Sequence, residues 1–140
     1  MRRPKLDSDA LVRAASDARQ RAYAPYSKYR VGAAILTRDG AIHAGCNVEN
    51  ATYGATLCAE RSAIAAMVAA GGKDPVAAAV VSAGPEPASP CGICRQVMIE
   101  FAADMPIWLV AEAPGREVLV TRKTRLAKLL PGAFRLRSRR

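Results

Sequence analysis

The apolar positions of the 140-residue chain change period several times, and each change marks an element. Between residues 8 and 23, Ala10, Leu11, Ala14, Ala15 and Ala18 recur at spacings of three and four. That spacing predicts a helix capped by Ser8 or Asp9 and stopped by Pro25. Tyr29 to Thr37 alternates loosely and is rich in Val, Ile and Leu, which predicts a strand. Asp39-Gly40 supplies a hairpin turn, and Ala41 to Glu49 is the expected returning strand. An Ala-rich helix is predicted over 58–70, ended by Gly71-Gly72. Val76 to Ala83 is almost continuously apolar, the pattern of a strand covered on both faces. The Pro-rich stretch 84–90 reads as a loop and 91–102 as a further helix. Strands are predicted at Pro106 to Ala111 and Glu117 to Thr121, around Pro114-Gly115, with a short helix near 123–129 before Pro131-Gly132.

Strands alternating with helices imply an α/β fold, a mixed five-stranded sheet in a three-layer α/β/α sandwich. The length suits one domain, expected over 1–134, with 135–140 as a disordered basic tail. Aromatics are only 5% of the chain, so the core must be built mainly from Ala, Val, Leu and Ile.

A formal charge of +9 invites a nucleic-acid or anionic-membrane reading, and its distribution argues against both. Residues 1–30 carry +5 and residues 122–140 carry +8, whereas residues 31–121 carry −4. No apolar run approaches the 18 or so residues of a membrane span. The start moves from Met1 directly into charged residues without the apolar stretch of a signal peptide, so the expected compartment is the cytoplasm. Four cysteines in such a chain point to metal or catalysis before disulfides.

Three of those cysteines share a pattern. Cys58-Ala59-Glu60 opens one predicted helix and Pro90-Cys91-Gly92-Ile93-Cys94 opens the next. Helix N-termini favour the thiolate form that zinc requires. Three protein ligands leave a tetrahedral zinc one position for water, whose pKa the metal lowers toward about 7. Hydrolytic deamination also needs a carboxyl group beside the metal that is not a ligand, and Glu60 stands two residues past Cys58.

Zinc deaminases carry H-x-E or its all-cysteine form followed by P-C-x-x-C. The chain matches the all-cysteine form and resembles the small, homotetrameric cytidine deaminases of pyrimidine salvage. The likeness runs from about Tyr26 to Phe134 in five ordered blocks. They are Tyr26 to Ala34, Gly45 to Ala51, Cys58 to Arg61, Pro90 to Gln96 and Leu129 to Phe134. It implies one Zn²⁺ per subunit on Cys58, Cys91 and Cys94, with Glu60 as the proton carrier. It further implies Asn47 and Glu49 on the ribose hydroxyls, and the Ala59 N–H on the pyrimidine carbonyl. Arg61 would offset the thiolate charge and Tyr29 would stack on the base. Ala51, Tyr53 and Phe134 would complete a neighbouring subunit's pocket. The family commonly has Phe where Tyr29 stands.

Plainer readings exist for each group. Cys46 could close a structural zinc site, and Cys91 and Cys94 could form a redox pair. Glu60 could be a first-turn acid, Asn47 and Glu49 solvated strand residues, and Arg61 a helix-surface base. Tyr29 and Phe134 could be packing. His43, the only histidine, reads as surface or packing with no metal role. The leading function is hydrolytic deamination of cytidine and deoxycytidine, a small-molecule nucleoside reaction without membrane or nucleic-acid partners. The same chemistry on a modified cytosine nucleoside or nucleoside antibiotic is the alternative within enzymes. From another class comes a zinc-stabilised nucleic-acid-binding module using the basic termini.

Overall fold

The computed structural model describes residues 5–136. Helix α1 (Ser8–Arg19) begins at Asp7, whose carboxylate accepts the Ala10 N–H, so the cap falls one residue before the expected Ser8 or Asp9. It stops at Gln20, well short of Pro25, because residues 20–24 turn toward the start of the sheet. Strands β1 (Val31–Thr37) and β2 (Ile42–Cys46) form the expected hairpin, with Gly40 at φ +90° in its turn. After a 3₁₀ turn at Tyr53–Ala55 come α2 (Ala59–Ala69), β3 (Pro75–Ala83) and α3 (Gly92–Phe101). Then follow β4 (Pro106–Glu112), β5 (Val118–Arg125) and α4 (Leu126–Leu129).

Further boundaries differ from the sequence expectation: β1 starts at Val31 rather than Tyr29, because Tyr29 and Arg30 belong to the segment held by Asn47 and Arg19. β2 ends at Cys46, and beyond it Val48 makes only isolated bridges to Tyr23 and Leu57. β5 runs on to Arg125, through residues expected in the last helix, because its whole length pairs with β4. Cross-strand pairing, not local propensity, decides that boundary.

The sheet order is β2-β1-β3-β4-β5, antiparallel except for the parallel pair β3–β4. Alternate residues of the central strands feed two separate cores. Ala33, Ile35, Ala78, Val80, Ile107 and Leu109 face α2, α3 and α4, meeting Ala63, Met67, Met98 and Leu126. Ala34, Leu36, Ala77, Ala79, Val81 and Val110 face α1 at Leu11 and Ala15. This is the expected three-layer α/β/α arrangement with a mixed five-stranded sheet. Small side chains let both helix layers lie close. A Cβ on Gly45 would sit 2.4 Å from the Ala63 nitrogen of α2, and one on Gly32 would sit 1.9 Å from the Ala15 oxygen of α1. Of the expected tail, Arg135 donates to the Ile99 carbonyl of α3 at 2.9 Å, and residues 137–140 lie outside the described residues.

Candidate active site

The parallel pair β3–β4 delivers α3 after β3, and α2 lies on the same side of the sheet. The first turns of α2 and α3 therefore meet. Each helix has a cysteine at its N-cap, Cys58 for α2 and Cys91 for α3, both with extended backbone. Neither sulfur caps its own helix, where Ser or Asp would ordinarily bond an amide. The sulfurs face one another instead. Cys58 Sγ lies 3.9 Å from Cys91 Sγ, which lies 3.4 Å from Cys94 Sγ. All three fall within 4.8 Å of one another, and they are the metal-competent group among the described residues. Tetrahedral zinc with bonds of about 2.3 Å holds its sulfur ligands roughly 3.8 Å apart, a spacing close to that of this trio. Cys46 is not a member of the cluster, which leaves a three-ligand set rather than a closed one. His43 does not join it either; it is a partly buried packing residue against Gly72.

Glu60 is the second residue of α2 and only 5% exposed. Burial pushes its carboxyl above the ordinary carboxylate range, against the opposing effect of the Cys94 thiol and Arg61. Burial likewise pushes the Cys94 thiol up, reinforced by the negative charge of Glu60. Cys91, nearer solvent, shifts the other way: burial opposes ionisation, but the Cys94 N–H and the two neighbouring thiols outweigh it. A bound metal removes such thiol protons outright. Arg61 Nη2 points to Cys58 Sγ at 3.5 Å and to the Thr56 carbonyl at 3.2 Å. Cys58 in turn raises the pKa of that guanidinium. The first helical bond of α2 is made by Ser62 to the Cys58 carbonyl, so the Ala59 N–H is one of the helix's orphan donors.

A strap over residues 24–31 is tied to the chain segment that leads to Cys58. Val48 and Leu57 exchange two backbone hydrogen bonds at 2.9 Å, which places the 47–49 segment beside the residue before Cys58. Asn47 accepts the Val31 N–H at 2.9 Å and donates to the Tyr29 carbonyl at 2.8 Å. Glu49 accepts the N–H groups of Tyr26 and Ser27, at 2.9 and 3.1 Å, and the Ser27 hydroxyl. These bonds, Ser27 first among them, hold the carboxyl of Glu49 below its usual range. Both side chains reach the strap, from a loop beyond the end of β2 rather than from a strand. Tyr29 is exposed on the strap, and Tyr26 packs edge-on to Tyr53 with ring centroids 6.4 Å apart.

Tyr53 and Phe134 project into solvent at 79% and 70% exposure, and Ala51 is exposed as well. Residues that sequence reasoning left without a task anchor this periphery. Arg95 donates to the carbonyls of Pro90 and Leu129, both at 2.7 Å, and Gln96 to that of Phe134 at 2.9 Å. They follow the last cysteine of the C-x-x-C directly, but apart from Pro90 their partners lie 34 and 38 residues downstream, beyond any local pattern.

A family model described as the cytidine and deoxycytidylate deaminase zinc-binding region matches residues 6–109. The chain is 46% identical to a cytidine deaminase of Sporosarcina psychrophila over 130 residues, 92% of each chain. It is 44% identical to that of Halalkalibacterium halodurans, covering 92% of this chain and 95% of the other. Among solved structures, cytidine deaminase from Burkholderia pseudomallei superimposes with a TM-score of 0.82 at 45% identity, over 92% of this chain and all of the other. The enzyme from Mycobacterium tuberculosis gives 0.78 at 40% identity, over 94% of this chain and all of the other.

Proposed function

The chain belongs to the zinc-binding cytidine and deoxycytidylate deaminases, and from that membership we propose a residue-by-residue account of its reaction. The protein is a zinc-dependent enzyme that hydrolyses cytidine and deoxycytidine to the uridines plus ammonia, a reaction of pyrimidine salvage. Cys58, Cys91 and Cys94 would hold one zinc ion, whose chemistry when bound would be to lower the pKa of water toward neutrality and make it a nucleophile for carbon 4. Arg61 offsets part of the negative charge that three thiolates impose on the metal.

Glu60 carries the protons. Its carboxylate takes one from water and hands it to the ring nitrogen next to carbon 4. The second water proton reaches the departing amino group by the same route, so ammonia leaves and the carbonyl of uridine forms. A carboxyl raised by burial holds a proton near neutral pH better than a solvated one. The Ala59 N–H meets the pyrimidine carbonyl oxygen. Asn47 and Glu49 keep unused donor and acceptor capacity beside the strap for the ribose hydroxyls. Tyr29 stacks on the base, with a phenol ring suited to that contact.

The remaining groups call for more than one chain. Ala51, Tyr53 and Phe134 are each exposed and match family positions that serve a neighbour's pocket, and we assign them to a homotetramer in which subunits complete each other's sites. The working unit is one deaminase domain over 1–134, acting in the cytoplasm. No helix among the described residues is long and apolar enough to cross a membrane.

The observation that carries this account is the juxtaposition of three sulfurs with the buried carboxyl of Glu60 at two helix starts. An ultraviolet assay on zinc-loaded protein, with cytidine, deoxycytidine and modified cytosine nucleosides compared, tests it. Loss of cytidine absorbance with release of ammonia is expected; no change in any substrate would overturn it. A strong preference for a modified nucleoside would shift the substrate to that class.

A further inference from the structure

Glu112 is a buried acid that the deamination account leaves without a task. It ends β4, is 2% exposed and follows an almost wholly apolar strand. A carboxylate in such a place is costly unless it is paired. Its Oε2 accepts the Ser16 hydroxyl at 2.9 Å, and its Oε1 pairs with Arg19 Nη1 at 2.9 Å. Arg19 lies in the last turn of α1, 12% exposed, where Gly32 lets α1 approach β1.

The other arm of that guanidinium leads to the substrate side. Arg19 Nε donates to the Arg30 carbonyl at 2.9 Å. Arg30 stands between Tyr29 and Val31, whose carbonyl and N–H are the two groups bonded by Asn47. Three consecutive residues of the strap are therefore fixed by two side chains, Asn47 from β2's end and Arg19 from α1. A planar guanidinium with two acceptors at fixed angles sets direction as well as distance. Glu112 holds that plane in place, and Arg116 further secures Ser16, at 3.1 and 2.9 Å from its Nε and Nη2.

We infer that Arg19, oriented by Glu112, is a positioning residue for the Tyr29–Val31 wall of the nucleoside pocket. It sets affinity for the base and leaves the proton chemistry at Glu60 alone. The inference rests on the deaminase account, with Tyr29 at the pyrimidine.

The test separates fold stability from pocket geometry. Arg19→Met strands a buried carboxylate, so it lowers both stability and strap order. Arg19→Met combined with Glu112→Gln removes the unpaired charge while keeping an acceptor for Ser16. Arg19→Lys restores a cation without the fork. KM and kcat for cytidine, Tm and zinc content are measured for each. Arg19→Met should raise KM roughly tenfold, the scale of one lost charge-assisted hydrogen bond, with kcat within about twofold and zinc retained. The double variant should regain Tm but keep the raised KM, and Arg19→Lys should recover KM in part. Recovery of KM together with Tm in the double variant would overturn the inference and leave Arg19 a structural residue. Wild-type KM in Arg19→Met would overturn it too. Absence of turnover in the wild type strikes the deaminase account itself, a result distinct from either.

Discussion

Glu60 owes its chemical suitability to one local circumstance, a helix that starts with a cysteine and buries its second residue. Replacing it with Gln keeps the size and removes the proton site. The variant should keep one zinc per chain and lose about 10²–10⁴-fold in kcat, measured on metal-quantified protein. Full activity in that variant would place the proton carrier elsewhere. This group was legible in the sequence because its neighbours are local: Cys58 is two residues away, and C-x-x-C brings its own pair. The partners of Glu49 were not legible, since they lie 22 and 23 residues back along the chain. Those partners carry a pH consequence. Glu49's folded pKa is depressed, so its hold on the strap is present above the unfolded value of 4.5 and is lost as pH falls through the lower folded value. A carboxyl titration by NMR should place Glu49 below 4.5, with the Tyr26 and Ser27 amides losing exchange protection in step with it. A titration at or above 4.5 would remove that clamp.

Elements carry the site by close approach. Gly45 of β2 lies against Ala63 and Ser62 of α2, the helix that presents Cys58 and Glu60. A methyl group there meets backbone, which cannot swing aside. Gly45→Ala should therefore cost about 1–3 kcal/mol and roughly 3–10 °C in Tm, and lower activity with it, by thermal unfolding and assay on one preparation. An unchanged Tm would mean α2 is free to shift. The type of the main elements was readable from the apolar pattern, as in the continuous run of β3 and the Ala-rich α2, whereas the 3₁₀ turn at Tyr53–Ala55 was not. Boundaries were less readable. β5 extends four residues past the expected Thr121 because β4 pairs with it to Arg125, and sequence alone cannot see a partner strand. Glu112 left a usable signal, an acid closing an apolar run, but its task depends on Arg19, 93 residues away.

At the scale of the whole molecule, the charge of +9 loses much of its force as a guide to function. On the basic strand β5, Arg122 pairs with Glu86 and Arg125 with Asp104, while Lys123 stands 5.1 Å from the Trp108 ring. Those cations have partners within the chain, which weakens the nucleic-acid alternative. Exposed aromatics say more. If Phe134 closes a neighbour's pocket, Phe134→Ala should keep one zinc per chain and raise KM several-fold, and wild-type mass in analytical ultracentrifugation should equal four chains. A fully active monomer would end the shared-site proposal. The central claim is that the three-cysteine site with Glu60 performs the deamination, and the direct test is activity against metal content. Protein stripped by a chelator and titrated with Zn²⁺ should regain cytidine deamination in proportion to zinc and plateau at one ion per chain. Cytidine turnover that is full without zinc, or absent at one zinc per chain, would contradict the account.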